Sequence, residues 1–134
     1  MPYCRLFYHF VWATKARFPL ITDDNREQLY AAIVAKVETL DGIVRALNGM
    51  ADHVHLVATV PPNVPLATFI GQIKGSSSHL ASRVSPDLAA FAWQAEYGVV
   101  SVSESHLPAV VRYVSLQKQH HASSTLNKTL EICS

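Results

Sequence analysis

Short apolar runs alternate with amphipathic stretches along the chain, and the period of each run predicts its element. Residues 3 to 13, YCRLFYHFVWA, are dense in aromatic and β-branched residues and read as a first, largely buried strand. In LITDDNREQLYAAIVAKVETLDG the positions Leu29, Ile33, Val37 and Leu40 recur every three to four residues. With Thr22/Asp23 as cap and Gly42 as stop, they predict an amphipathic helix. IVRALNGMADHVHLVATVPP holds two β-type runs, Ile43 to Leu47 and His53 to Val60. Asn48-Gly49 predicts the tight turn of a hairpin between them, and Pro61 and Pro62 end its second arm. Leu66, Phe69, Ile70, Ile73, Leu80 and Ala81 form the stripe of a second helix, with Pro65 in its first turn and a weak point near Gly75. A short strand around Val99 to Val102 follows. The last helix lies in HLPAVVRYVSLQKQHHA, capped from Ser103 or Ser105, with Pro108 in the first turn where no N–H partner is needed.

The order β-α-β-β-α-β-α predicts an α+β fold: an antiparallel, ferredoxin-like sheet of the split β-α-β type, with helices on one face and an additional C-terminal helix. At 134 residues, a single domain spanning 1–134 is expected, with 123–134 as a tail. An apolar fraction of 49% with 16% charged residues reads as a compact globular protein and does not favour disorder. Cys4 and Cys133 have no ligand-like spacing and fit a reduced compartment. No apolar run approaches the ~20 residues that span a bilayer, and no leader pattern opens the chain, so a cytoplasmic protein without a membrane partner is expected. Eleven Lys and Arg against 10 Asp and Glu give a net charge of +1. Any site for a polyanion therefore has to be local.

Candidate chemistry begins with the His-x-His of ADHVHLVATV. On a strand, His53 and His55 share one face while Val54 and Leu56 take the other. Two metal ligands and two polar residues on a solvated face are both open readings. On the last helix Tyr113 and Gln117 are four apart and share a face, with His120 or His121 one turn on. His9, His79 and His106 are scattered and receive no role, and Glu96 and Glu104 read as solvated. Taken together, two imidazoles and an amide oxygen make an open set for a hard divalent ion such as Mg2+ or Mn2+, with positions left for phosphate oxygens. A tyrosine hydroxyl beside it supplies a nucleophile.

At this point the chain resembles a known family, the HUH single-tyrosine transposases of small bacterial and archaeal insertion sequences, and more distantly the REP-associated tyrosine transposases. The matching stretches are YHFVWATKARFPLIT, GMADHVHLVATVPP, FIGQIKGSSS, FAWQAEYGVVSVSES and VVRYVSLQKQHH, in family order over residues 3 to 121. The resemblance implies a metal-dependent endonuclease and strand transferase acting on single-stranded DNA with subterminal hairpins. His53, His55 and Gln117 would be the metal ligands and Tyr113 the nucleophile, forming a 5′-phosphotyrosine link and needing no nucleotide cofactor. It also implies a homodimer in which the tyrosine helix of one chain completes the site of the other, a cis arrangement remaining open. Candidate DNA contacts are Lys15, Arg17, Lys74, Ser76, Ser77 and Ser78, with Arg112 and Lys118 flanking the tyrosine. Two readings of other classes compete: a domesticated single-stranded nucleic-acid binder without cleavage, and a small-ligand metalloprotein on the same sheet.

Overall fold

The computed structural model describes residues 4–84 and 91–116. Its elements are β1 (Phe7–Ala13), α1 (Arg26–Thr39), β2 (Ile43–Met50), β3 (His53–Thr59), α2 (Leu66–Val84), β4 (Gly98–Val102) and α3 (Leu107–Ser115). The four strands form one sheet in the order β2-β3-β1-β4, every neighbouring pair antiparallel. This is the split β-α-β arrangement that the element order predicts.

Alternation along the strands assigns two faces. Phe10 and Trp12 of β1 and Val54, Leu56 and Ala58 of β3 meet α1 through Leu29, Ile33 and Val37 and α2 through Phe69, Ile70, Ile73 and Ala81. That face carries the main core, and α1 and α2 also pack on each other. On the opposite face Ala46 and Val57 meet Tyr113 and Val114, so α3 covers the side of the sheet that α1 and α2 leave open.

Four local expectations shift. The hairpin turns at Ala51–Asp52, and Asn48 and Gly49 lie inside β2 opposite His55 and Val54. No described glycine has a positive φ, so Gly49 serves the close approach of the strands and not a turn torsion. Helix α1 starts at Arg26 behind Asn25, because Thr22 to Asn25 close a turn in which the amides of Asn25 and Arg26 both donate to the Thr22 carbonyl. Helix α2 runs unbroken through Gly75. Neither Ser103 nor Ser105 caps α3; the cap position is His106, whose Nδ1 lies 2.6 Å from the Ser103 hydroxyl. The expected tail, 123–134, lies outside the described residues.

Candidate active site on the α3 face

In the register of β3 against β1, His53 pairs with Ala13 and His55 with Val11, placing both imidazoles on the α3 face. They are buried, 2% and 0% exposed, which removes the reading of two polar residues on a solvated face. Buried polar groups need partners, and each ring finds a different one. His53 Nδ1 lies 2.8 Å from the Asp52 carboxylate, which also meets Arg17 Nε at 3.3 Å. His55 Nδ1 lies 2.8 Å from Nε2 of His9, a buried residue of β1 on the same face. The rings of His53 and His55 meet edge to face at a centroid distance of 5.1 Å.

From the other side, α3 brings the Tyr113 ring against His55, at 6.3 Å between centroids and nearly perpendicular. Tyr113 is itself 9% exposed, and Val114 beside it is fully buried. Asn48, opposite His55 on β2, holds the end of α3 by donating from Nδ2 to the Ser115 carbonyl at 3.1 Å. A cleft of about 390 Å3, lined by Arg17, Pro19, Met50, Ala51, Asp52 and His53, opens beside this cluster. Burial alone would raise the Asp52 carboxyl, but the His53 hydrogen bond and the Arg17 charge outweigh it and hold the group below the usual carboxylate range. Asp52 is thus an anion behind His53. Neither Asp52 nor His9 stood out in the sequence, although Asp52 directly precedes the His-x-His and His9 is the one histidine inside the first apolar strand.

A family model for IS200-like transposases matches residues 3–117, which take in all the described residues. The chain belongs to this family. The ISDra2 transposase TnpA of Deinococcus radiodurans is 25% identical over 119 residues, which cover 84% of each protein. The IS200 transposase of Salmonella typhimurium is 28% identical over 71 residues, 53% of this chain and 47% of that one. A crystal structure of a Deinococcus radiodurans transposase superposes with a TM-score of 0.69 at 26% identity, covering 87% of this chain and 93% of that one. The structure of a REP-associated tyrosine transposase bound to a REP hairpin superposes with a TM-score of 0.66 at 18% identity, over 90% of this chain and 72% of that one, and shows the shared fold.

In this transposase the residues singled out by sequence fall into three groups. His53, His55 and Tyr113 come together as described, while Gln117, Lys118, His120 and His121 lie outside the described residues. Lys15 and Arg17 form a short 3-10 turn directly after β1, at the His53 end of the sheet, and both are exposed, as is Arg112 beside Tyr113. The third group is drawn inward. Ser77 is fully buried, donating to the Ile73 carbonyl at 2.7 Å and accepting from Trp93 Nε1 at 3.0 Å. Lys74 points its ammonium at the carbonyls of Gln94, Ala95 and Glu96, at 2.6, 3.1 and 3.3 Å. Burial lowers its pKa from the usual lysine value, with Glu96 opposing. Ser76 is half-buried on the same helix, and Ser78 lies 3.2 Å from the Gly75 carbonyl. Both Lys74 and Ser77 therefore fasten the segment before β4 to α2.

The donor chemistry fits a divalent ion. Both imidazoles engage a partner through Nδ1, so Nε2 is the nitrogen each would offer, and a carboxylate behind a ligating histidine is the usual supporting contact. Among the described residues no three His, Cys, Asp or Glu form a metal-binding group, so a two-histidine site needs a further donor of another type or from outside them. No described helix is long and apolar enough to cross a membrane.

Proposed function

We propose that this transposase cleaves and rejoins single-stranded DNA at the ends of an insertion sequence, with Tyr113 as nucleophile and a divalent metal, Mg2+ or Mn2+, held by His53, His55 and Gln117. The observation that carries the reading is the Tyr113 ring seated against His55 on the face that β3 shares with His53. When bound, such an ion supplies Lewis-acid polarisation of the scissile phosphate and stabilises the charge that develops there. The tyrosine oxygen attacks phosphorus, a Tyr–O–P bond forms, and the bond to the 3′-oxygen breaks. The proton lost by Tyr113 balances the one gained by the released 3′-hydroxyl. Attack by a second 3′-hydroxyl reverses the step and rejoins strands without a nucleotide cofactor. A free tyrosine has a pKa of about 10, so the site has to favour proton loss.

The partner is single-stranded DNA with subterminal hairpins, met by the exposed Lys15, Arg17 and Arg112 and, outside the described residues, by Lys118. In the structure the Tyr113 ring lies against the buried His55 of its own chain, the cis arrangement. A homodimer that exchanges α3 would seat the same helix on its partner. The test is incubation with single strands carrying the flanking genomic DNA plus Mn2+, read as a covalent complex on a denaturing gel. The complex is expected with the native chain and absent after Tyr113→Phe or in EDTA. Tight oligonucleotide binding that ignores EDTA and His53→Ala, without any adduct, would establish the binding-only reading instead.

A further inference from the structure

Two ligating histidines need their ring protons kept off the ligating nitrogens, and the chain meets that need with different chemistry at each. At His53 the partner of Nδ1 is the Asp52 carboxylate, which only accepts hydrogen bonds. At His55 the partner is another imidazole, His9, whose Nε2 both donates and accepts according to its tautomer. The 5.1 Å between the two centroids, with the planes 24° apart, is what two five-membered rings give when joined end to end through a 2.8 Å bond, not when lying face to face. The contact is therefore an in-plane hydrogen bond carrying one proton.

The geometry points to His9 as the positioning residue for His55. We infer that His9 accepts the Nδ1–H of His55, so that His55 presents the Nε2 lone pair to the metal. The opposite direction, His9 Nε2–H donating to His55 Nδ1, puts the neutral His55 proton on Nε2 and closes it as a ligand. With His9 Nε2 accepting instead, His9 carries its own proton on Nδ1 and stays neutral. The register supports a fixed pair: His9 and His55 are diagonal neighbours across β1 and β3, both less than 2% exposed, so water does not compete for the bond. A free neutral imidazole prefers its proton on Nε2, so the tautomer required at His55 has to be imposed by a partner.

The inference rests on the metal reading above, and two measurements separate their failures. Long-range 1H–15N spectra of histidine-labelled, metal-free protein read the tautomer directly, and Mn2+ titration followed by electron paramagnetic resonance reads the affinity. In the native chain His55 is expected to carry its proton on Nδ1. In His9→Leu the proton is expected to move to Nε2 and Mn2+ affinity to fall about 10- to 100-fold. In His9→Gln, whose amide oxygen can take the Nδ1–H in place of the imidazole, both are expected to return close to native. A native His55 protonated on Nε2, or a folded His9→Leu chain with full Mn2+ affinity, overturns the role of His9. A native chain that binds no Mn2+ overturns the metal reading, while the spectrum still decides His9. Should His9→Leu fail to fold, the native spectrum and His9→Gln decide.

Discussion

At Gly49 the hairpin leaves no room for a side chain: a Cβ there would run into the His53 carbonyl oxygen and lie 2.9 Å from Val54 Cα. Gly49→Ala has to push apart the strand segment that carries His53. Overpacking of this kind costs about 1–3 kcal/mol, so a lowered urea midpoint is expected together with weaker Mn2+ binding; a native midpoint would refute the crowding. Tyr30 presents the reverse case, a side chain with a surplus polar atom. Its hydroxyl is buried with no hydrogen-bond partner among the described residues, and burial raises its pKa from 10.0 to about 12, against the opposing charge of Arg26. Between those pH values the unfolded chain loses the tyrosine proton first, so stability present below pH 10 drains away as the pH rises towards 12. Tyr30→Phe removes the buried hydroxyl and the titration together. It is expected to stabilise the protein by about 1 kcal/mol at neutral pH and to flatten the alkaline loss in thermal melts taken from pH 9 to 12. A Tyr30→Phe chain that melts lower at pH 7 would show that the hydroxyl has a partner after all.

A helix of nine residues such as α3 is too short to persist by itself, so its place over the site depends on what it buries. Val114 supplies the fully buried contact with Ala46 and Val57, and Asn48 ties down the last turn. Val114→Ala removes roughly 2 kcal/mol of packing, and the loss should appear as local opening. Amide exchange in 107–115 is expected to accelerate while β1 and β3 keep their protection; uniform acceleration would mean that α3 unfolds only with the whole domain. The elements themselves were legible because each apolar stripe has the period of its structure, and the shared face of His53 and His55 follows from strand alternation alone. Ser77 was misleading for a local reason. It occupies the stripe between Ile73 and Ala81, yet as a hydroxyl it reads as surface until Trp93 arrives, 16 residues on, to bond it. Asn48-Gly49 failed similarly, because a dipeptide that suits a turn also suits a crowded strand pair. His9 was hidden because its partner is 46 residues away across the sheet, a pairing that register creates and spacing does not show.

Among the described residues several basic groups are committed: Arg5 pairs with Glu104 at 2.6 Å, Arg26 with Asp23 at 2.7 Å, Arg17 with Asp52, and Lys74 with three carbonyls. With a net charge of +1, the protein as a whole offers little attraction to a polyanion, so DNA has to be drawn by position. The sheet separates two positions. Lys15 follows β1 at the end of the sheet that holds His53, and Arg112 lies on α3 beside Tyr113, whereas Lys36 rides on α1 across the sheet. Each single-strand phosphate neutralised adds about 0.7 to the slope of log affinity against log salt. Lys15→Ala and Arg112→Ala are each expected to weaken oligonucleotide binding and to lower that slope by about 0.7, measured by fluorescence anisotropy in EDTA so that cleavage does not intervene. Lys36→Ala should change neither affinity nor slope. If all three variants lower the slope equally, DNA wraps both faces, and the α3 side loses its claim as the nucleic-acid surface even with Tyr113 as nucleophile.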